Sequence, residues 1–436
     1  MPLGRLLHNK FIRNSFILIF GNIAAGFLGY IFQLLVSRKL TITGYGELQS
    51  LTSLISILAV PGAAISFFTI KHSAEYFTKN DYPGNYAFYN WLRLKIYKIA
   101  VILTAIFLLF SPLLMRYLHL SSYANLFLTW LGVFFSLLIV IKTGVLYGWQ
   151  DFKHLSLNSI LSASVKLFVG VLLVQFVASV FSALLGIVAA GIFSFLFLKI
   201  FLKKEKYYGN PPDKRADGFS DQALKKEIKS LILPILFFTF LISMLSSVDM
   251  LMVKNLLKPE AAGFYGAFNI LGKIIFWASS SVVAVVLPLA CAQNSQNKKL
   301  DNKTLFYANA LIFIICLSGL AIYYYFPTLI VSLLYGAKYL PMAHNLWVFA
   351  LISLSLSLLS LEANLAYSRN DFKINYILSA VVILEMILIS RFHQTIFAIA
   401  ISIFCSQIFG YLLSLLYNAF SVKKCQKLQP AEIPPL

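Results

Sequence analysis

Twelve stretches of mostly apolar residues, each about the 20 residues that a helix needs to cross a bilayer, constrain this chain more than any other feature. They begin near Ser15, Leu48, Ala100, Ala124, Leu157, Val177, Ser230, Ala262, Tyr307, Ala343, Phe372 and Ile396. The 436 residues are 59% apolar and only 12% charged, whereas soluble domains average roughly 45–50% and 25%. A soluble core cannot absorb that surface, so the pattern predicts an all-α polytopic membrane bundle of about twelve transmembrane helices. The fifth and sixth runs nearly fuse between Gln175 and Ser179, and topology requires that they be split. The run after Arg13 exceeds a signal-peptide core and lacks a small-residue cleavage site, so it counts as the first membrane helix.

The net charge of +20 would suggest nucleic acid as the partner of a soluble protein. Here the Lys and Arg residues lie mostly between the apolar runs, where they report topology instead. Alternating the loops places 26 of them on one side and seven on the other, with Lys142, Lys166 and Lys273 inside spans. Cytoplasmic loops carry the basic excess. Both termini are therefore expected in the cytoplasm.

The longest polar stretch runs from Lys203 to Lys229 and carries Pro, Gly and mixed charges, as a linker between halves would. It predicts an N-terminal six-helix bundle over residues 1–202, a cytoplasmic linker over 203–229, a C-terminal bundle over 230–422 and a cytoplasmic tail over 423–436. A short amphipathic helix from Ser220 is compatible with the linker. No extramembrane segment is long enough for a folded catalytic domain. Cys291, Cys316, Cys405 and Cys425 stand singly, so no disulfide, metal or cofactor is assigned.

The two halves resemble each other at an offset of 220. Asn125-Leu126 matches Asn345-Leu346, Tyr147 matches Tyr367, and Asp151-Phe152-Lys153 matches Asp371-Phe372-Lys373. A looser match relates Leu34–Gly46 to Leu251–Gly266. Six helices per half is an even number, so the halves share orientation and relate by an axis along the membrane normal, enclosing a cleft.

Ionisable residues inside spans are costly and usually face a cavity or a partner. Lys142, Lys166 and Lys273 are three such residues; Asp249, Glu362 and Glu385 are the others. Lysines near span ends can snorkel to the interface, which the shorter acids cannot. At the 220 offset Lys142 falls on Glu362, so opposite charges at equivalent heights could pair across the cleft as a gate or coupling site. A carboxyl group in an apolar cleft can also carry a proton near neutral pH.

The stretches SRKLTITGYGELQSL (Ser37–Leu51), Leu233–Ile274, GVLYGWQDFK (Gly144–Lys153) and Leu334–Leu351 together resemble the polysaccharide flippases of the multidrug/oligosaccharidyl-lipid/polysaccharide exporter superfamily, the O-antigen-type repeat-unit translocases. The resemblance runs over nearly the whole chain. It implies two six-helix bundles in a MATE-like V that flip a lipid-linked oligosaccharide across the plasma (inner) membrane by alternating access, for cell-surface polysaccharide biosynthesis. The chain would then be a transporter and not an enzyme, working with polysaccharide-assembly proteins. Lys142, Lys166 and Lys273 would attract the polyprenyl diphosphate of the substrate. Asp249, Glu362 and Glu385 would gate or couple transport to H+ or Na+. Such families often place arginines in the cavity, and no arginine of this chain falls well inside a predicted span. Lipid II flippases typically carry two further helices. The competing readings are a MATE-like small-molecule antiporter, expected to have an acidic cavity, and a membrane polymerase or glycosyltransferase, expected to need a larger outward loop.

Overall fold

A computed structural model of the protein describes residues 10–202, 232–295, 302–369 and 371–427. The linker expected over 203–229, its amphipathic helix, and the tail beyond Lys427 lie outside the described residues. The described chain forms α1 (Lys10–Lys39), α2 (Ile42–Leu58), α3 (Val60–Thr78), α4 (Tyr82–Tyr117), α5 (Tyr123–Gly148), α6 (Phe152–Phe176) and α7 (Val180–Leu202). It continues as α8 (Leu233–Leu256), α9 (Pro259–Ser295), α10 (Asn302–Tyr325), α11 (Pro327–Leu334), a 3-10 segment (Ala337–Asn345), α12 (Leu346–Ser368), α13 (Ile374–Arg391) and α14 (Ile396–Lys427). Twelve helical stretches are long and apolar enough to cross a membrane, and their order is the one predicted. The contested split is real: α6 stops at Phe176, Val177 turns extended, and α7 restarts at Val180.

One boundary moves far. The third span was expected near Ala100, yet α4 begins at Tyr82, where the Asp81 side chain accepts the Gly84 amide at 2.8 Å and Pro83 occupies the first turn. Proline there removes an N–H that no helical carbonyl needs. Arg93, Lys95 and Lys98 therefore stand on the helix rather than in a loop. Pro61 stands in the first turn of a new segment: α2 stops at Leu58, α3 starts at Val60, and Ala59 caps both. Pro112 stays within α4 without a break.

The chain divides into two compact units, Met1–Phe240 and Leu241–Leu436. In the first, α3 crosses α5 at close range. A Cβ on Gly144 would stand 2.6 Å from the Thr69 Cβ, and one on Gly148 would stand 2.6 Å from the Ser73 Cβ. Two four-residue small pairs thus face one another, the arrangement that lets membrane helix backbones approach. The second unit makes its contacts with serine. Ser353 donates to the Gly272 carbonyl at 2.6 Å, and the Ser279 and Ser357 hydroxyls meet at 2.6 Å.

The repeated Tyr and Asp-Phe-Lys positions take the same local form in both units. The Asp151 amide donates to the Leu146 carbonyl at 2.9 Å and the Asp371 amide to the Ala366 carbonyl at 3.1 Å. These six-residue loops back onto a helix end satisfy its last carbonyls. Tyr147 meets Phe152, and Tyr367 meets Phe372, both edge to face.

Candidate functional site

Among the described residues, one pocket in each helical unit holds buried charged side chains. The first sits among the N-terminal part of α4, the C-terminal part of α5 and the C-terminal part of α7. Its volume is about 140 Å³, and Tyr89, Arg93, Tyr97, Leu138, Ile141, Lys142, Phe195 and Lys199 line it. Helical spacing explains the set: Tyr89, Arg93 and Tyr97 recur every four residues and so share one face of α4. Lys142 is 4% exposed, and its ammonium lies 3.8 Å from the centroid of the Phe195 ring. Arg93 stands over Tyr89 at 5.9 Å. Lys142 lies within electrostatic range of both Lys199 and Arg93, and no carboxylate lines the pocket.

Three mutually repelling cations in one cavity are unfavourable unless something negative offsets them. The aromatic faces do part of that work, since a cation over a ring gains roughly 0.5–2 kcal/mol. An anion would do the rest. Chemically this is a seat for an anionic group, with a guanidinium able to grip it bidentately and two ammoniums acting as point charges. Sequence reasoning found Lys142 but missed Arg93 and Lys199, which it had counted among the basic residues of the cytoplasmic loops. Arg93 was counted in a loop because the apolar run starts near Ala100, whereas α4 starts 18 residues earlier and carries Arg93 in its N-terminal part. The signal was present as the Tyr89-Arg93-Tyr97 stripe.

Lys166 is not part of this group. It lies on α6 with its ammonium 4.7 Å from the Phe32 ring of α1. Lys273 falls in the second pocket, where Leu245, Ser246, Asp249, Asn269, Gly272, Lys273 and Phe276 meet Phe349, Ile352, Ser353 and Leu356. The three lysines assigned to one cavity are thus found at three places.

The second pocket opens a buried acidic network. Asp249 accepts the Tyr265 hydroxyl at 2.5 Å and the Asn269 amide at 2.8 Å through Oδ2, and Lys273 lies within electrostatic range. Glu385 on α13 is fully buried and accepts the Gln407 amide at 3.1 Å through Oε2. Gln407 also donates to the Leu245 carbonyl at 3.2 Å and accepts from Ser355 at 3.0 Å. It therefore ties α13 and α14 to α8 and α12. The two carboxylates influence one another electrostatically, and each keeps one buried oxygen without a hydrogen bond, Asp249 Oδ1 and Glu385 Oε1. Free lone pairs on buried carboxylates can receive a proton or a hard monovalent cation. Among the described residues no group of three or more His, Cys, Asp or Glu converges as a metal site.

Glu362, the third predicted acid, stands apart on α12. Asn418 donates to its Oε2 at 2.6 Å and to its backbone carbonyl at 3.1 Å, and Arg369 in turn donates to the Asn418 side-chain oxygen. Tyr265, Asn269, Gln407 and Asn418 carry no charge, so nothing in the sequence marked them.

With spans, units and pockets in place, the chain is a multi-pass membrane protein with the fold of the MATE-type transporters. The family model described as "Polysaccharide biosynthesis protein" matches residues 11–291, and the chain belongs to that family. Its fold is similar to that of an inward-facing multidrug resistance MATE family transporter of the MOP superfamily, at TM-score 0.75 and 14% identity over 92% of this chain and 96% of that one. It is also similar to the lipid II flippase MurJ, at TM-score 0.71 and 18% identity over 94% and 87%. The multidrug transporter DinF-BH matches at TM-score 0.63 and 15% identity over 95% and 94%. No curated protein sequence matches the chain significantly.

Proposed function

We propose that the protein is a flippase that moves a lipid-linked oligosaccharide of the polyprenyl diphosphate type from the cytoplasmic to the outer leaflet of the plasma membrane, by alternating access and without catalysis. The observation that carries this reading is the carboxylate-free cationic pocket that Arg93, Lys142 and Lys199 line between three helices of the first unit. A diphosphate is the charged part of such a substrate, and the pocket suits it. Membership in a polysaccharide biosynthesis family supports the same cargo, as does the likeness in fold to a lipid II flippase. The basic excess on one side supports cytoplasmic termini.

Asp249 and Glu385, with Gln407 and Tyr265 as their hydrogen-bond partners, are the groups for coupling to H+ or Na+, since each offers an unbonded buried oxygen. Glu362, held by Asn418, is the gating candidate. Lys273, facing Asp249, would balance that charge when no cation is bound. Lys166 remains a substrate-path candidate on α6. A small-molecule antiporter would use the acidic network as its substrate site and leave the cationic pocket without a role.

The test is reconstitution into liposomes with a fluorescent lipid-linked oligosaccharide and a membrane-impermeant quencher. The expected result is time-dependent protection of the label, accelerated by a proton or sodium gradient. An unchanged leaflet distribution under all gradients, together with movement of a cationic dye, would replace this reading with the antiporter.

A further inference from the structure

We propose that α11 is a membrane-surface helix: it lies along the bilayer boundary at one end of the second unit, with Leu329 and Leu333 turned to the acyl chains and Thr328 and Ser332 to the headgroups. Its partner is the lipid surface itself. This position is independent of any transport; the cytoplasmic termini proposed above only name the leaflet as the outer one.

Helix length leaves α11 little choice. α10 has 24 residues and α12 has 23, so each is about 35 Å long and crosses a hydrocarbon core of about 30 Å by itself. The chain between them must therefore begin and end at one face of the membrane. With 8 residues, α11 is about 12 Å long and too short to cross. Phe326 leaves the helical path at φ −126° and ψ 41°, and Pro327 opens the new helix, whereas Pro112 stays inside α4.

The side chains of α11 then divide three ways. Val331 and Tyr335 are fully buried; Tyr335 meets Tyr339 at 5.4 Å, and Tyr339 meets Phe264 of α9 at 5.8 Å, both edge to face. That row fixes the side of α11 that faces the unit. On the far side Leu329 is 61% and Leu333 66% exposed, one turn apart on one edge. Thr328 and Ser332, also exposed, form a second edge, each about 100° round from the leucine that follows it. An apolar edge beside a polar edge is the pattern of an interfacial helix. Water would leave both leucines unfavourably solvated, and a lipid boundary suits both edges.

The neighbouring rings mark the same level. Tyr324, Tyr325 and Phe326 are exposed where α10 ends. Tyr324 meets Trp347 at the start of α12 at 6.4 Å, and Trp347 meets Phe397 at the start of α14 at 6.1 Å. Three helix ends thus carry one aromatic band, and Tyr and Trp gather at the headgroup level. Below the band α10 exposes Ile314, Leu317 and Ile322, the surface of a membrane span. The leucines of α11 continue that lipid-facing surface.

The test replaces Leu329, Leu333, Thr328 or Ser332, one at a time, by photoreactive benzoylphenylalanine in the full-length protein in phosphatidylcholine liposomes, and identifies the captured species by mass spectrometry. The two leucine positions are expected to capture phospholipid at least about threefold more than Thr328 and Ser332, given an apolar edge sunk about 5–10 Å below the headgroups. Equal capture of lipid all round the helix, or capture of a second copy of the chain at the leucines, overturns the surface position. Because a variant can misfold, hydroxyl radicals should also be generated in the water around the unmodified protein in lipid nanodiscs. Oxidation of His344, exposed on the 3-10 segment, with Leu329 and Leu333 spared is expected; leucines oxidised as readily as their intrinsic reactivity allows overturn it. Neither readout needs transport, so failed flipping refutes the transport reading alone, and failed lipid contact refutes only the surface position of α11.

Discussion

Every charged side chain in the pocket of the first unit is cationic, whereas that of the second sets Asp249 beside Lys273, although the two units share matching local frames. Lys142 and Glu362 occupy equivalent positions at the 220-residue offset. Lys142 lies over an aromatic ring in a pocket with two more cations, whereas Glu362 is clasped by an amide. The helix ends just beyond them are alike, down to the looped-back aspartate amide and the tyrosine–phenylalanine contact. The difference teaches which parts of such a frame are free to change. A helix terminus has carbonyls that must be satisfied in any membrane protein, so its geometry recurs. The charge on an interior wall answers only to what binds there.

The largest effect expected from breaking this comparison is on packing. Gly148→Leu drives a side chain into Ser73 and the Ala74 backbone, and overpacking against backbone should cost about 3 kcal/mol, the upper end of the usual range. The equivalent Ser368→Leu meets no glycine-dependent crossing and should cost much less. Thermal unfolding in detergent would measure both. Equal losses would show that the two crossings are not built differently after all. Next in size is Asp249→Ala, which strips the acceptor from two buried donors, Tyr265 and Asn269. Each unsatisfied donor costs about 1–3 kcal/mol, so stability should fall and gradient-driven flipping should vanish while passive anion binding at the first unit persists. Loss of anion binding as well would mean that the two units do not divide these tasks.

Most of the frame was legible because hydrophobic length is a local property of sequence. Twelve spans, their order and the break near Val177 follow from runs of apolar residues and a few breakers. The third helix was misplaced because Arg93, Lys95 and Lys98 lower the local hydropathy without disturbing helical geometry, and Asp81-Tyr82-Pro83 is the start signal that outweighs them. The candidate sites were half legible. Charges inside spans announce themselves, so Lys142, Asp249 and Glu385 were found. Which of them converge depends on helix packing, and this separates Lys142 from Lys166 and Lys273. The neutral partners Gln407, Asn269 and Asn418 carry no signal until their hydrogen bonds are seen.

The double reversal Lys142→Glu with Glu362→Lys asks whether the matched charges depend on each other. Each has partners within its own unit, Phe195 for the lysine and Asn418 for the glutamate. Effects of separate sites add to within about 0.5 kcal/mol. The double variant should therefore lose as much transport as the two single changes combined, and restored flipping would instead place the pair in one gate.

The smallest effect sharpens the same contrast from the aromatic side. Phe195→Leu removes the ring beneath the Lys142 ammonium while preserving apolar bulk. The loss should be about 1 kcal/mol, within the range of a desolvated cation–π contact, and Phe195→Tyr should restore most of it. An anion seated among Arg93, Lys142 and Lys199 supplies the charge that the ring supplied, so added anionic lipid should stabilise Phe195→Leu more than the wild type. Equal stabilisation of both would separate the ring from the anion seat and leave Phe195 as packing alone.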